Sequence, residues 1–353
     1  MACQSFRRHV TGKIIGTCGA GGVVMRLFHQ IAEAVDRQEW LDRAADPLKK
    51  GIKALFRAGG DLGRRVKDFL HGTWLGHPLH PVLVSIPIGA WTVAIVFDVV
   101  DAVRGTDVFS VAADASIVVG LCGAIAAAVT GLTDFQHTGK SALRVAFAHG
   151  VLNLTATAFY VVALVMRLEG MRGPGRALSW LGYGIVALAG FLGGHLSYGL
   201  RIGVNQAMEA LEEQTKRGDY EPALSDAQLP AGQPKRVEVK HIPVLLVRQG
   251  TRIHALADTC SHLGCSLAEG KLQANSIVCG CHGSEFALAD GRVLRGPALY
   301  PQPLFETRVR NGMIEVGTTA RTWSGHEVSV AGPTEPPPAA LGTPKPSTQK
   351  HAG

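Results

Sequence analysis

The chain has 353 residues, of which only 18% are charged, and its mean hydropathy is positive. That length allows two or more domains, and that balance points to a membrane rather than to one small soluble domain. The net charge of +7 is modest and no aromatic-interleaved basic patch accompanies it, so nucleic acid is not an expected partner. Seven cysteines are present; four lie in two short loops, and Cys3, Cys18 and Cys122 are scattered, which implies no disulfide scaffold.

Residues 1–76 form a polar, basic N-terminal region with 13 Lys and Arg. Lys49 to Arg57 and Leu62 to Leu70 each fit a short amphipathic helix. Such helices lie on a membrane surface with Lys and Arg reaching the headgroups, or are ordinary solvated helices. Arg7-Arg8 precedes a weakly apolar stretch from Ile14 to Met25, as in a twin-arginine export signal. Lys13, the shortness of the run and the lack of an A-x-A site argue against that reading.

Four apolar segments follow within residues 77–203. Leu79–Phe97, Ala115–Thr133, Val145–Met166 and Ala177–Leu200 contain no Asp, Glu, Lys or Arg. About 20 apolar residues span a bilayer as a helix, so four in series predict a compact four-span bundle. Gly190-x-x-x-Gly194 and the run Ala124 to Ala128 would let helices approach closely. The segment opens on Gly76-His77-Pro78-Leu79-His80-Pro81 and Ile86-Pro87-Ile88-Gly89, and closes on Gly193-Gly194-His195-Leu196. In these motifs it resembles an uncharacterised bacterial four-helix membrane family. The resemblance implies the fold and no settled activity.

Prolines 222, 230 and 234 mark residues 204–235 as a linker. From residue 236 to 317 the pattern turns β-rich, with Val237, Val239, Ile242, Val244, Leu245 and Val247 and turns at Gln249-Gly250 and Asn311-Gly312. Residues 318–353, rich in Pro, Thr, Ala and Gly, read as a disordered tail.

Within the β-rich part lie Cys260-Ser261-His262-Leu263-Gly264-Cys265 and, after sixteen residues from His262, Cys279-Gly280-Cys281-His282-Gly283-Ser284. Two thiolates and two imidazoles so spaced can hold a metal centre between facing loops. Cys2His2 also suits tetrahedral zinc, but zinc fingers usually pair Cys with Cys and His with His. Here each loop gives one of each, which fits a bimetallic cluster better. The pattern resembles a Rieske 2Fe-2S domain, in which two His replace two Cys on one iron. The resemblance assigns Cys260 and Cys279 to one iron and His262 and His282 to the other. It also implies a disulfide between Cys265 and Cys281, as in cytochrome bc-type Rieske proteins; the alternative is two small buried thiols. Ser284 matches the Ser whose hydroxyl bonds a cluster sulfide in the high-potential type. Phe286 stands where that type has Tyr, so one hydrogen bond to sulfur is missing, and such bonds tune the potential.

The expected fold class is therefore a multidomain membrane protein, an α-helical four-span transmembrane bundle followed by an all-β Rieske domain. Four spans put both ends on one side. Counting positive charges puts the N-terminus, and with it the Rieske domain, in the cytoplasm, although Arg167, Arg172 and Arg176 weaken the count. A cytoplasmic disulfide is unusual, unless ligation shields a buried Cys265–Cys281 bridge. His80, Asp134, His149 and His195 fall towards the membrane face that carries the β domain. Ionisable groups at such depth are functional candidates, here for haem b or a quinone. Otherwise they cap helix ends and bond each other.

The expected function is one-electron transfer between a membrane donor, quinol or haem, and a partner protein. The alternatives are a redox sensor using the cluster and Cys265–Cys281, or a ferredoxin-like supplier to an oxygenase. Few residues follow the β-rich segment and no triad for a mononuclear iron is evident, so no separate catalytic site is expected. A bc-complex subunit would carry one N-terminal anchor rather than four spans. The expected partners are the lipid bilayer and a redox protein, and the expected location is the cell membrane.

Overall fold

The computed structural model describes residues 30–208 and 219–322. The twin-arginine stretch and the tail beyond residue 322 lie outside them. In chain order the helices are α1 (30–36), α2 (Asp42–Ala58), α3 (Gly60–His71), α4 (Leu79–Leu83), α5 (Ser85–Arg104), α6 (Ser110–Phe135), α7 (Lys140–Leu168) and α8 (Arg172–Gly194).

Among the described residues, four helical stretches are long and apolar enough to cross a membrane: Leu79–Arg104, Ser110–Phe135, Ala142–Leu168 and Arg172–Gly199. Their contacts depend on small residues. A Cβ on Gly120 would lie 2.2 Å from Trp91 Nε1, so glycine alone lets α6 seat that indole. Trp91 then stacks on Tyr160 of α7, centroids 4.0 Å apart, in a core completed by Ala94, Ile117, Ala156 and Val186.

One end of the bundle is closed by charge. Arg167 on α7 is buried, pairs with Asp98 of α5 and lies 3.2 Å from Asp114 of α6. It also donates to Ser179 Oγ of α8 at 3.0 Å. Arg176 reaches Asp98 and Asp101. Arg167 at the end of the third span and Arg176 at the start of the fourth thus tie all four helices together.

At the opposite end, α2 and α3 cover the bundle. Asp42 makes a two-pronged bond with Arg144, Ala45 packs with Phe135 and Leu143, and His71 Nδ1 donates to Asp134 at 2.7 Å. Leu55, Leu62 and Phe69 stay exposed on the remaining surface. The two helices therefore have one face on protein, and only the other is free to meet headgroups.

The β domain has two antiparallel sheets. One has six strands in the order β1-β10-β9-β4-β3-β2, from β1 (Tyr220–Ser225), β2 (Lys235–Val239), β3 (Ile242–Gln249), β4 (Arg252–Ala257), β9 (Leu304–Arg310) and β10 (Met313–Arg321). The other, β5-β6-β7-β8, comprises Lys271–Gln273, Ser276–Val278, Glu285–Ala287 and Val293–Arg295. Two sequence boundaries move. Tyr220–Ser225 is not linker but an edge strand on β10, because Pro222 sits at a register shift, where its missing N–H is tolerated. At the other end β10 runs to Arg321, past the expected limit at residue 317.

Candidate metal centre and its membrane-facing dock

The two Cys-His loops leave the ends of short strands, the first after β4 and the second between β6 and β7. They have the same internal design. Cys260 N–H donates to Cys265 O at 2.8 Å, and Gly264 N–H returns to Cys260 O at 2.9 Å. Cys279 N–H donates to Ser284 O at 2.8 Å, and Gly283 N–H to Cys279 O at 3.1 Å. Gly264 and Gly283 each have φ near +80°, a conformation that glycine adopts without steric cost. Each tight loop turns its Cys and His to the same side.

The side chains converge. The thiols of Cys260 and Cys279 share a hydrogen bond, which pushes Cys279 down to about 6 and Cys260 up. Backbone N–H groups of His262 and Leu263 point at the Cys260 sulfur, and those of Cys281 and His282 at the Cys279 sulfur. The His262 and His282 rings lie 4.9 Å apart, edge to face. Burial, with His282 nearby, pushes His262 down to about 3; burial, with Lys53 and Lys49 nearby, pushes His282 down to about 4. Both therefore present neutral imidazoles. Cys265 and Cys281 form a disulfide across sixteen positions, joining the loops. Cys265, Cys279 and Cys281 also group within 4.8 Å, but the disulfide commits two of these sulfurs to each other.

Other side chains lock the loops. Gln302, buried, donates from Nε2 to Ala257 O at 2.8 Å and Thr259 O at 2.5 Å, and accepts from Ser261 N–H. Asp258 accepts from Ser266 Oγ and Ala268 N–H. Ser284 Oγ accepts from Ala298 N–H at 3.0 Å, so its own hydrogen is available to donate. Phe286 is fully buried among Cys260, Cys279, Leu256 and Ile277.

The edges of His262 and His282 face the helical bundle. His137, just beyond α6, stands edge-on to His262 and to His282, with centroids 5.7 Å away in each case. It is 6% exposed, and neither ring nitrogen has a hydrogen-bond partner among the described residues. Burial, reinforced by His71 and His262, pushes it well below the usual histidine range, so it is neutral. His71 lies 5.1 Å behind it and bonds Asp134. Gly296 packs against Asp68 and Thr73, and Gln206 N–H donates to Ser261 O at 3.1 Å. These contacts seat the β domain on α3 and on the end of α6.

A family model described as Rieske [2Fe-2S] domain matches residues 220–307. Ferredoxin CarAc of Metapseudomonas resinovorans is 36% identical over 95 residues, covering 27% of this chain and 87% of that ferredoxin. The chain belongs to the Rieske [2Fe-2S] domain family. Its Rieske domain is also similar to the cytochrome b6-f complex iron-sulfur subunit of Chlorobaculum tepidum, 31% identical over 88 residues. That match covers 25% of this chain and 48% of the subunit, so the chain spans about half of that relative. Among solved structures, a chain of the complex of reduced oxygenase and oxidized ferredoxin in carbazole 1,9a-dioxygenase matches at 28% identity and TM-score 0.28, over 30% of this chain and 97% of that one. Residues 76–206 match the model described as Predicted membrane protein (DUF2231). The chain is thus a membrane domain of four apolar helices fused to a Rieske domain of antiparallel sheets, whose cofactor is a 2Fe-2S cluster and whose chemistry is electron transfer.

The residues present fit that cofactor. His262 Nδ1 is buried and has no hydrogen-bond partner among the described residues, as a nitrogen reserved for a metal would be. The thiol pair would supply the two remaining donors, and backbone N–H groups already point at both sulfurs. One expectation needs correction: the Cys265–Cys281 bridge is not buried, because Cys281 is at the exposed tip of the second loop.

Of the membrane candidates, the structure brings together His80 and His149, 6.4 Å apart. Asp134 belongs to a separate group with His71 and His137. His195 opens a π-helical turn, His195–Gly199, where it stacks on Phe191. His71, His137 and Gln302 were not legible as site residues. The first two lie outside the apolar runs, though His137 follows Asp134 at helical spacing. Gln302 is forty residues from the loop it holds.

Proposed function

We propose that the chain is a membrane-anchored Rieske electron carrier in which Cys260 and Cys279 bind one iron and His262 and His282 the other. The Cys265–Cys281 bridge fastens the loops, and Ser284 and Phe286 set the polarity around the sulfurs. When bound, the cluster supplies a site that takes up and releases one electron at a time. The donor side is the helical bundle, through a quinol or a haem near His80, Asp134, His149 and His195. The acceptor is a separate protein. The orientation that follows from the charge count puts the Rieske domain in the cytoplasm.

The observation that carries this reading is the contact of His137 with both His262 and His282. A neutral, buried ring with no hydrogen bonds fills the space between the ligands and the end of the bundle. It excludes water there and shortens the distance from the membrane domain to the cluster.

A second reading, supply of electrons to an oxygenase, is favoured by the likeness to Ferredoxin CarAc and to the ferredoxin subunit of 3-phenylpropionate/cinnamic acid dioxygenase of Escherichia coli, 32% identical over 89 residues. It names the acceptor and leaves the bundle as donor. A third, redox sensing, is favoured by the exposure of Cys281 in the disulfide.

The test is metal, sulfide and EPR analysis of detergent-purified protein. Two irons with acid-labile sulfide and the reduced signal of a His-ligated cluster are expected. The signal disappears in His262→Ala and His282→Ala. Stoichiometric zinc without iron would overturn the reading.

A further inference from the structure

Two histidines from different spans are held at one level of the bundle in the same way. His80 Nδ1 donates to Ala127 O of α6 at 2.8 Å. Gly131, four residues further along α6, lies against that ring, where a Cβ would come 2.8 Å from His80 Cε1. His149 Nδ1 donates to Ala189 O of α8, also at 2.8 Å. Gly193, four residues further along α8, lies against the second ring, where a Cβ would come 3.1 Å from His149 Cε1. The hairpins α4/α5–α6 and α7–α8 thus repeat one device: histidine, carbonyl acceptor, and glycine one turn beyond.

The device fixes the tautomer. A neutral imidazole that donates from Nδ1 carries its lone pair on Nε2. A backbone carbonyl bound to the far nitrogen is also the usual support of a metal-ligating histidine. Asn153 Nδ2 donates to His149 O at 2.9 Å and also lies 3.4 and 3.2 Å from the two ring nitrogens, so a ligand bound at His149 Nε2 would displace the 3.2 Å contact.

The spacing then selects the ligand. The two rings are perpendicular, with centroids 6.4 Å apart. With a metal–imidazole bond of about 2.1 Å, and each nitrogen about 1.1 Å from its ring centre, two imidazoles on opposite sides of one metal have centroids about 6.4 Å apart. A quinone bonded by both rings through its two oxygens would hold them much further apart. A bare divalent ion would need about four protein ligands, and its charge would be costly at this depth. A tetrapyrrole brings four equatorial nitrogens and two negative charges of its own and needs only two axial donors.

We propose that His80 and His149 are the axial ligands of a b-type haem through their Nε2 atoms, with Gly131 and Gly193 making room for the two rings. This deepens the reading of the bundle as the donor side and rests on it only for the direction of use. From Ala127 to the end of α6 at Phe135 the helix rises about 12 Å, so the haem would stand about that far from the end of α6 beside the dock with the Rieske domain.

The test uses full-length protein in detergent, titrated with ferric protoporphyrin IX. The expected result is one haem per chain with a low-spin, six-coordinate spectrum, and its loss in both His80→Ala and His149→Ala while the Rieske EPR signal is unchanged. His149→Met is expected to keep a six-coordinate haem and raise its potential, because Met/His ligation does so; a purely structural histidine would not produce that shift. Gly131→Ala is expected to weaken haem binding at least about tenfold by pushing the His80 ring aside. No low-spin haem in the wild type, or full binding in the His80→Ala/His149→Ala double variant, would overturn the proposal. Because the Rieske signal is read in the same samples, that failure is distinct from failure of the electron-carrier reading.

Discussion

His137 and His262 meet edge-on, 5.7 Å between centroids, across the boundary between the membrane domain and the Rieske domain. Neither histidine has a rival use: both His137 nitrogens and His262 Nδ1 are buried without a hydrogen-bond partner. A solvent-facing ligand edge would serve any partner that diffuses to it. On the proposed assignment of His262 as a ligand, His137 of the membrane domain covers that ligand's edge, and electron exchange with that domain is the expected outcome.

The polarity around the sulfurs gives a prediction about potential. Phe286→Tyr is expected to raise the midpoint, since a new hydroxyl among Cys260 and Cys279 donates to sulfur and stabilises the more negative, reduced cluster. Ser284→Ala is expected to lower it, since it removes the one hydroxyl whose oxygen is already anchored by Ala298 N–H. Redox titration followed by EPR reads both shifts. An unchanged or lowered midpoint in Phe286→Tyr contradicts the argument.

The disulfide gives a prediction about endurance. Closing a loop of this size contributes about 3 kcal/mol in the chain-entropy model. Cys265→Ser is therefore expected to lower the temperature at which the cluster's visible absorbance is lost. Because Cys281 is exposed, a small-molecule reductant is expected to do the same to the wild type. Equal melting of oxidised, reduced and Cys265→Ser protein would show that the bridge is idle.

The far end of the bundle gives a prediction about stability. Arg167→Ala removes the buried partner of Asp98 and leaves it only the longer contact with Arg176, which is expected to cost up to about 3–5 kcal/mol. Pairing it with Asp98→Asn is expected to restore part of that loss. Thermal unfolding in detergent measures both. A single variant as stable as the wild type would mean that Arg176 alone neutralises Asp98.

Much of this was legible in the sequence, because strong local patterns leave few alternatives. Four uncharged runs can only be buried in lipid or protein, and two Cys-His loops with their glycines encode their own turns. What was not legible depends on long-range docking. Tyr220–Ser225 is hidden as a strand by its proline and shows itself only when β10 is beside it. His71 and His137 acquire meaning only when α3 and the end of α6 meet the Rieske loops. His80 and His149 lie within the apolar runs, where a polar side chain stands out, whereas His137, which touches the site, lies beyond the end of its run.

The most direct measurement is the rate at which a membrane-soluble quinol, duroquinol, reduces the cluster in proteoliposomes, followed by EPR, for the wild type and His137→Ala. If electrons enter from the bundle past His137, the variant keeps its EPR line shape and iron content while its reduction slows at least about tenfold, the rate equivalent of roughly 1.4 kcal/mol. Reduction of His137→Ala at the wild-type rate, with the same signal, would contradict the account and leave the four helices as an anchor alone.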